Sequence, residues 1–141
     1  MKKPLQKIAV IGTGILGTQI AMMAANAGYK VKVYDPVSGA FDATYKKIQA
    51  DLQAKGVTPF IPWEKWEKCK KAVKHETDLA KVVKEAELVI EATPGLARCL
   101  ACGAEGPVQA CYDPCAACGG FPQQILAGRD LRLLALDVDV D

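Results

Sequence analysis

The sequence has 141 residues, of which half are hydrophobic and 24% are charged, and its formal net charge at pH 7 is +2. This length and composition fit one globular core, and they exclude a large two-domain enzyme and a disordered or collagen-like chain. The small net charge gives no electrostatic argument for a nucleic-acid partner, which would need a clustered basic face.

The N-terminal segment superficially imitates a secretory signal, because two lysines precede a long uncharged run. Glycines and polar residues such as Thr13 and Gln19 interrupt that run, and another apolar segment follows it at once. A signal peptide or a membrane span needs a more continuous apolar stretch. We therefore expect a cytoplasmic protein without a membrane partner.

The first elements in chain order predict a βαβ unit. The run KIAVI, from Lys7 to Ile11, is short and mostly apolar and stops at glycine, which is typical of a strand in a parallel sheet. Apolar residues then recur at three- and four-residue intervals from Ile15, and Gly28 supplies a stop signal, so we predict a helix. The run VKVY, from Val31 to Tyr34, alternates as a second strand.

Four further elements follow before residue 95. Apolar spacing predicts a surface helix from Phe41 to Ala54 and a second helix behind Pro62, whose two tryptophans we interpret as packing residues. We also predict a short helix from Asp78 to Ala86 with Thr77 as its cap, and a strand from Leu88 to Ala92. The predicted fold class is α/β, a Rossmann-like doubly wound parallel sheet that is incomplete because residues 1–94 supply only about its first four strands.

The sequence GTGILG at residues 12–17 carries the clearest chemical signal. It follows a predicted strand and opens a predicted helix, which is the context of a dinucleotide-binding turn. Gly12 permits the tight turn, Gly14 lets the backbone approach a pyrophosphate, and Gly17 allows close helix packing. The amides near Ile15 and Leu16 would then face the phosphates at the positive end of the helix.

The acidic residue expected in this motif is Asp35, which ends the second strand 18 residues after Gly17. Its carboxylate can accept hydrogen bonds from an adenosine ribose and would repel the 2′-phosphate of NADP, so the predicted cofactor is NAD. Two alternatives remain open at this point: a glycine-rich turn that binds nothing, and a turn that binds FAD.

Two stretches resemble the NAD-binding domain of the L-3-hydroxyacyl-CoA dehydrogenase family. They are KIAVIGTGILGTQIAMMAANAGYKVKVYD, at Lys7 to Asp35, and TDLAKVVKEAELVIEATP, at Thr77 to Pro94. The resemblance covers residues 5–94. It implies an oxidoreductase of fatty acid metabolism that converts 3-hydroxyacyl-CoA to 3-ketoacyl-CoA with NAD, and hence an acyl-CoA substrate.

The sequence also departs from that family in ways that concern catalysis. Where the family continues with a cofactor-contacting glutamate and lysine, this chain has Gly95, and no lysine follows Lys84. The family's catalytic histidine beside a Phe-Asn-Pro motif has no counterpart, and we interpret His75 as a surface residue. We therefore assign no catalytic residue and predict an NAD-binding fragment without the helical substrate domain.

Composition changes abruptly after residue 94. All 15 lysines lie at or before Lys84, all three arginines follow it, and five of the six cysteines lie between Cys99 and Cys118. Residues 1–94 carry 15 basic and 10 acidic groups, whereas residues 95–141 carry 3 basic and 6 acidic groups. We therefore divide the chain into a dinucleotide-binding part, residues 1–94, and an unassigned, irregular cysteine-rich tail, residues 95–141, with one apolar element from Gln124 to Leu136.

The tail contains two C-x-x-C-G units, at Cys99/Cys102 and Cys115/Cys118, separated by twelve residues. Three explanations stay open: a frameshifted or fused tail, a zinc or other metal site, and redox-active or incidental cysteines. We assign no metal ligand on this basis. The alternative function is a small NAD-binding protein with a four-cysteine structural zinc site, and a third hypothesis is a chain that fails to fold because its sheet ends at an unpaired apolar edge.

Overall fold

The computed structural model describes residues 4–108, 113–121, 123–128 and 132. The chain divides into two compact units, Met1–Thr93 and Pro94–Asp141. Much of the predicted element from Gln124 to Leu136 lies outside the described residues. Within the described part of the chain, every helix is too short or too polar to cross a lipid bilayer.

The first unit is a four-stranded parallel sheet with helices packed on it. Its elements in chain order are β1 (Lys7–Ile11), α1 (Ile15–Asn26), β2 (Lys30–Tyr34), α2 (Ala40–Lys55), α3 (Trp63–Ala72), β3 (Lys74–His75), α4 (Leu79–Lys84) and β4 (Leu88–Glu91). The strand order is β3-β2-β1-β4, and each neighbouring pair is parallel. The α/β class and the parallel sheet predicted from the sequence are confirmed.

The strand order places a crossover beside β1. The chain builds outward from β1 to β2 and β3, and then returns to add β4 on the other side of β1. In open α/β sheets, ligands bind outside the carboxyl ends of the strands at such a reversal. The segment that follows β1, at residues 12–17, lies at this end of the sheet.

The core of the first unit lies between the sheet and the first three helices. Alternate residues of β1 and β2 enter this core, as period-two strands require. Trp66 of α3 is only 2% exposed, and its ring packs against Phe60 and Tyr45 with centroid separations of 5.0 and 5.9 Å. The interpretation of this tryptophan as a packing residue therefore agrees with its position.

Two local features differ from the sequence predictions. Asp78, not Thr77, caps α4, because its Oδ1 accepts a hydrogen bond from the Ala80 amide at 2.9 Å. A two-residue strand, β3, was not predicted, since two residues are too few to show an alternation. At the sheet edge, Leu88 and Val89 of β4 are 39% and 45% exposed. The hypothesis that an apolar edge prevents folding stays a prediction.

The described part of the second unit contains three short strands, where the sequence indicated an irregular tail with one apolar element from Gln124 to Leu136. They are β5 (Gly95–Cys99), β6 (Glu105–Val108) and β7 (Gln123–Ala127), in the antiparallel order β6-β5-β7. Arg98 and Glu105 pair across β5 and β6, with a Nε–Oε1 distance of 2.7 Å. Strands of four or five residues interrupted by glycine and proline give no sustained hydrophobic period, which explains the difference.

The two tryptophans of α3 provide a matched test of this core. Trp66→Ala should lower the free energy of unfolding by about 3–5 kcal/mol, because it empties a fully buried site. Trp63→Ala removes the same side chain from a position that is 38% exposed and should cost clearly less. Urea denaturation followed by circular dichroism measures both values, and equal losses would show that the core is not built around Trp66.

Candidate functional site

The turn after β1 depends on Gly12. Its φ of +89° lies in the region that favours glycine, and its amide donates to the Tyr34 carbonyl at 2.9 Å. A Cβ atom at this position would lie 2.7 Å from the Ala92 carbonyl oxygen, just after β4. Both the backbone angle and the neighbouring chain therefore require glycine here.

The other two glycines of the motif have different surroundings. A Cβ on Gly17 would lie 1.9 Å from the Gly12 carbonyl oxygen, so the first turn of α1 packs directly on the preceding backbone. Gly14 has an ordinary φ of −64°, and a Cβ there would meet no atom within 4 Å. The fold itself therefore requires Gly17 but leaves open space beside Gly14.

The N-terminus of α1 has no capping side chain. Gly14 occupies the N-cap position, and the first turn of the helix holds no acidic residue. The first amides of a helix have no acceptor within the helix, and the helix dipole makes this end positive. Ile15, Leu16 and Gly17 form this first turn, and the side chain of Leu16 is exposed. The arrangement is suited to an anionic group next to Gly14.

Asp35 lies against this turn and is held by three hydrogen bonds. Its Oδ2 accepts from the amide of Thr13 at 2.8 Å and from the Thr13 hydroxyl at 2.9 Å, and its Oδ1 accepts from the Val37 amide at 2.9 Å. Partial burial by itself would raise the pKa of Asp35, but these three donors outweigh it and lower the pKa below its usual value. The carboxylate is therefore ionised at neutral pH.

A ribose could still use this carboxylate. A carboxylate offers about four lone-pair positions, and three are occupied here. One position remains for a ribose hydroxyl, and a second hydroxyl would have to share or replace a Thr13 donor. The chemistry of the residues fits an adenosine ribose, with one contact directly available.

Thr13 helps to hold the glycine turn in place, a role that the sequence did not indicate. It is only 1% exposed, its hydroxyl and amide both bind Asp35, and its carbonyl accepts from the Thr18 hydroxyl at 2.9 Å. These bonds tie β2, the turn and α1 together. The motif specifies glycines at 12, 14 and 17 and leaves residue 13 free, so only the structure reveals this role.

The single histidine lies elsewhere. His75 is an exposed residue of β3, and its ring packs edge-on against Phe41 with a centroid separation of 4.7 Å. Within the described part of the chain, it forms no ion pair with a carboxylate. This position agrees with its interpretation as a surface residue.

The second unit brings together the four cysteines of the two C-x-x-C-G sequences. The Sγ atoms of Cys99, Cys102, Cys115 and Cys118 all lie within 4.8 Å of one another. The distance between Cys99 Sγ and Cys118 Sγ is 3.6 Å, and that between Cys102 Sγ and Cys115 Sγ is 3.7 Å. These distances are far longer than a disulfide bond of about 2.05 Å. They match the separation of about 3.8 Å between sulfurs that surround a zinc ion at about 2.3 Å.

Each C-x-x-C-G sequence forms the same small loop. Gly103 and Gly119 have φ values of +73° and +69°, and their amides donate to the carbonyls of Cys99 and Cys115 at 2.9 and 2.7 Å. This explains the glycine that follows each second cysteine, because a left-handed residue is required there. Each of the two loops therefore contributes two sulfurs to one cluster.

Backbone amides in these loops favour thiolate formation. The amides of Cys102 and Ala101 lower the pKa of Cys99, and those of Cys118 and Ala117 lower the pKa of Cys115 to about 7. The Gly120 amide lowers the pKa of Cys118, but the neighbouring cysteines outweigh it and raise that pKa to about 12. Four thiolates this close would repel one another, so the set favours a bound cation.

Comparison with known proteins identifies the first unit. Residues 7–97 match the family model for the 3-hydroxyacyl-CoA dehydrogenase NAD-binding domain. The chain is similar to a solved diketoreductase that acts on dicarbonyl compounds, with a TM-score of 0.54 and 33% identity over 66% of this chain and 33% of that one. It is also similar to 3-hydroxybutyryl-CoA dehydrogenase from Escherichia coli, with a TM-score of 0.51 and 33% identity over 64% of this chain and 19% of that one.

The second similarity involves the cysteine-rich region. Residues 61–138 match a family model described as hydrogenase/urease nickel incorporation, metallochaperone, HypA. The chain is 46% identical over 57 residues to hydrogenase maturation factor HypA from Geotalea daltonii, a match that covers 40% of this chain and 52% of that protein. The chain thus spans about half the length of this curated relative and a third or less of the two solved dehydrogenase relatives.

The match to the dehydrogenase model extends over most of the chain and includes the glycine turn, Asp35 and the returning strand β4. It confirms the resemblance inferred from the sequence, and with it NAD as the cofactor. The chain therefore belongs, through residues 7–97, to the 3-hydroxyacyl-CoA dehydrogenase NAD-binding domain family, and it also carries a HypA-like C-terminal region.

Proposed function

We propose that the first unit binds NAD at the turn of residues 12–17 and at Asp35. The observation that supports this most strongly is the open space beside Gly14, at the uncapped start of α1. The pyrophosphate would lie there and accept hydrogen bonds from the amides of Ile15, Leu16 and Gly17. The Asp35 carboxylate would accept a hydrogen bond from the adenosine ribose and exclude the extra phosphate of NADP.

We further propose that these 141 residues bind the cofactor without completing the dehydrogenase reaction. Oxidation of a hydroxyacyl group needs a base to remove the hydroxyl proton while NAD accepts the hydride. The sequence contains one histidine, His75, and it packs on Phe41. An acyl-CoA substrate and a place in fatty acid metabolism follow only from the similarity to 3-hydroxyacyl-CoA dehydrogenases, whose solved chains extend well beyond the matched part.

Substitution of Gly14 and of Gly17 should distinguish an effect on NAD binding from an effect on folding. Gly14→Ala should leave the melting temperature unchanged, because its backbone is unstrained and its Cβ meets no atom. It should nevertheless raise the dissociation constant for NAD by about tenfold or more, a loss of about 1.4 kcal/mol, because the methyl group would occupy space needed by the pyrophosphate. Isothermal titration calorimetry measures the affinity.

The matched control is Gly17→Ala, which should lower the melting temperature because its Cβ would overlap the Gly12 carbonyl. If Gly14→Ala bound NAD as tightly as the unmodified chain, the pyrophosphate would not lie at this turn.

Asp35 should set the preference between the two nicotinamide cofactors. Asp35→Asn removes the negative charge that opposes the 2′-phosphate, so the ratio of NADP to NAD dissociation constants should fall by about tenfold. Titration of both cofactors at neutral pH measures this ratio. Asp51→Asn, at an exposed position of α2, removes the same charge away from the turn and should leave the ratio unchanged. If the ratio were unchanged in Asp35→Asn, the Asp35 carboxylate would not contact the adenosine ribose of the cofactor.

The four-cysteine cluster supports a second function, a structural zinc site. Four protein sulfurs lie within 4.8 Å of one another, so they would fill all four positions around a tetrahedral zinc ion, as in structural sites, and leave no open position for a reaction. The family description of the HypA match refers to nickel incorporation, but soft thiolates in a closed tetrahedral set fit zinc. When bound, the ion would supply cross-linking of the two loops and no catalysis.

The packing of the second unit also favours a metal. Its buried hydrophobic residues among those described are Ala97, Cys99, Val108 and Cys115, two of them ligands of the proposed ion. Two of these four buried residues of the described part are thus cysteines of the cluster, and small domains commonly use a metal or disulfides to support a small core. The HypA similarity also bears on the origin of the tail. A sequence read out of frame has no reason to match a family, so the similarity favours a tail that is translated in its own frame and fused to the first unit.

Metal content tests the proposed site directly. The purified chain should contain about one zinc ion per molecule by mass spectrometry of the metal, and Cys102→Ser should remove most of it. Cys69→Ala, which changes a buried cysteine of α3 outside the cluster, should retain the metal. A chain with less than about half an equivalent of zinc, or with nickel in its place, would contradict the proposal.

A further inference from the structure

A pocket separate from the proposed NAD site lies at the opposite end of the parallel sheet from the glycine turn. It has a volume of about 380 Å³ and is lined by residues at the amino ends of β1, β2 and β3 and by residues of α4 and its C-terminal flank. This volume lies within the range of small-molecule sites, about 300–1,000 Å³. Nothing in the proposed NAD site uses these residues.

The pocket is lined by four lysines on one face of the sheet. Lys7 on β1 is in register with Lys30 on β2, and Lys32 on β2 is in register with Lys74 on β3. Residues in register project to the same face, and so do residues two apart on a strand, so all four side chains share the face.

Like charges placed opposite each other on neighbouring strands are unfavourable. The sequence therefore maintains two such pairs in a single pocket, at a cost that a bound anion would offset.

The carboxylates nearby compensate only part of this charge. Glu85, at the end of α4, lines the pocket and pairs with Lys32, with a Nζ–Oε2 distance of 3.4 Å. Glu87 uses its carboxylate to accept the backbone amides of Gln6 and Lys7. Among the described lining residues, four lysines face one glutamate, and the charge of Glu87 beside Lys7 reduces this positive excess without cancelling it.

We propose that this pocket binds a compact multivalent anion, with phosphate or carboxylate groups held by Lys7, Lys30, Lys32 and Lys74. Lysine is a point charge with three donors and binds either group without a fixed geometry. The described residues of the lining are lysines, one glutamate and small aliphatic side chains, which favours a small non-aromatic polyanion over a nucleobase that needs a stacking partner. Apolar lining comes in part from Val82 of α4, which is 1% exposed, and from Ala86, two residues after the end of α4.

Calorimetric titration of the full chain with tripolyphosphate and with citrate tests this site, at about 20 mM salt to limit screening. We expect at least one of the two to bind, and the stronger binder identifies phosphate or carboxylate as the favoured group. Lys74→Gln should raise its dissociation constant by about tenfold, whereas Lys46→Gln, at an exposed position of α2, should leave it unchanged. Glu85→Gln removes the competing carboxylate and should tighten binding, which a misfolded variant would not do.

Two further measurements assign the binding to this pocket. Gly14→Ala should leave the affinity for the polyanion unchanged, because the glycine turn lies at the other end of the sheet. Lys74→Gln should leave the affinity for NAD unchanged for the same reason. The proposal is overturned if neither probe binds, if Lys74→Gln and Lys46→Gln weaken binding equally, or if a single-stranded oligonucleotide binds more tightly than either probe.

Discussion

The close approach of α1 to the backbone that precedes it is the constraint on which the first unit depends. A side chain at Gly17 would overlap the Gly12 carbonyl, and a side chain at Gly12 would reach the Ala92 carbonyl. These two contacts bring the helix, the turn and the end of β4 together at one point of the sheet. The uncapped helix start and the space beside Gly14 lie between these two contacts in the chain, so the geometry suited to a phosphate group is held in place by the packing of Gly12 and Gly17.

Hydrogen bonds from Thr13 and Thr18 also hold the turn in place. The Asp35 carboxylate accepts hydrogen bonds from the amide and the hydroxyl of Thr13, and the Thr13 carbonyl accepts one from the Thr18 hydroxyl. The end of β2 is therefore fixed to the turn and to α1. The carboxylate is therefore positioned before any ligand arrives. Pre-positioning reduces the entropy that a ligand must overcome on binding.

Much of the first unit could be predicted from the sequence, because its signals are local. The strand KIAVI, the apolar spacing of α1 and the spacing of the glycines to Asp35 each depend on residues close in the chain. Thr13 could not be assigned, since its role depends on contacts with β2 and α1 that no spacing encodes. The cysteine pattern left a metal site as one of three explanations, and only the folded unit shows the four sulfurs together. The short strands β5 and β6 gave no periodic signal.

The two units are stabilised in different ways. The first has a continuous apolar core around Trp66, Phe41 and the strands β1 and β2. In the second, the described residues include few buried apolar side chains and a cluster of four sulfurs, which suits stabilisation by a metal ion. The two family matches, at residues 7–97 and 61–138, overlap at residues 61–97, but the cofactor-binding motif lies only in the first match and the paired cysteines Cys99, Cys102, Cys115 and Cys118 only in the second.

We propose that NAD binds at the turn of residues 12–17 and that the cysteine cluster takes no part in this binding. Nuclear magnetic resonance of the ¹⁵N-labelled chain, titrated with NAD, tests this residue by residue. We expect the largest shifts for the amides of residues 12–17 and for Asp35, with the amides around Cys102 and Cys118 unmoved. Shifts centred on the cysteine loops, or no saturable shifts at the turn, would contradict it.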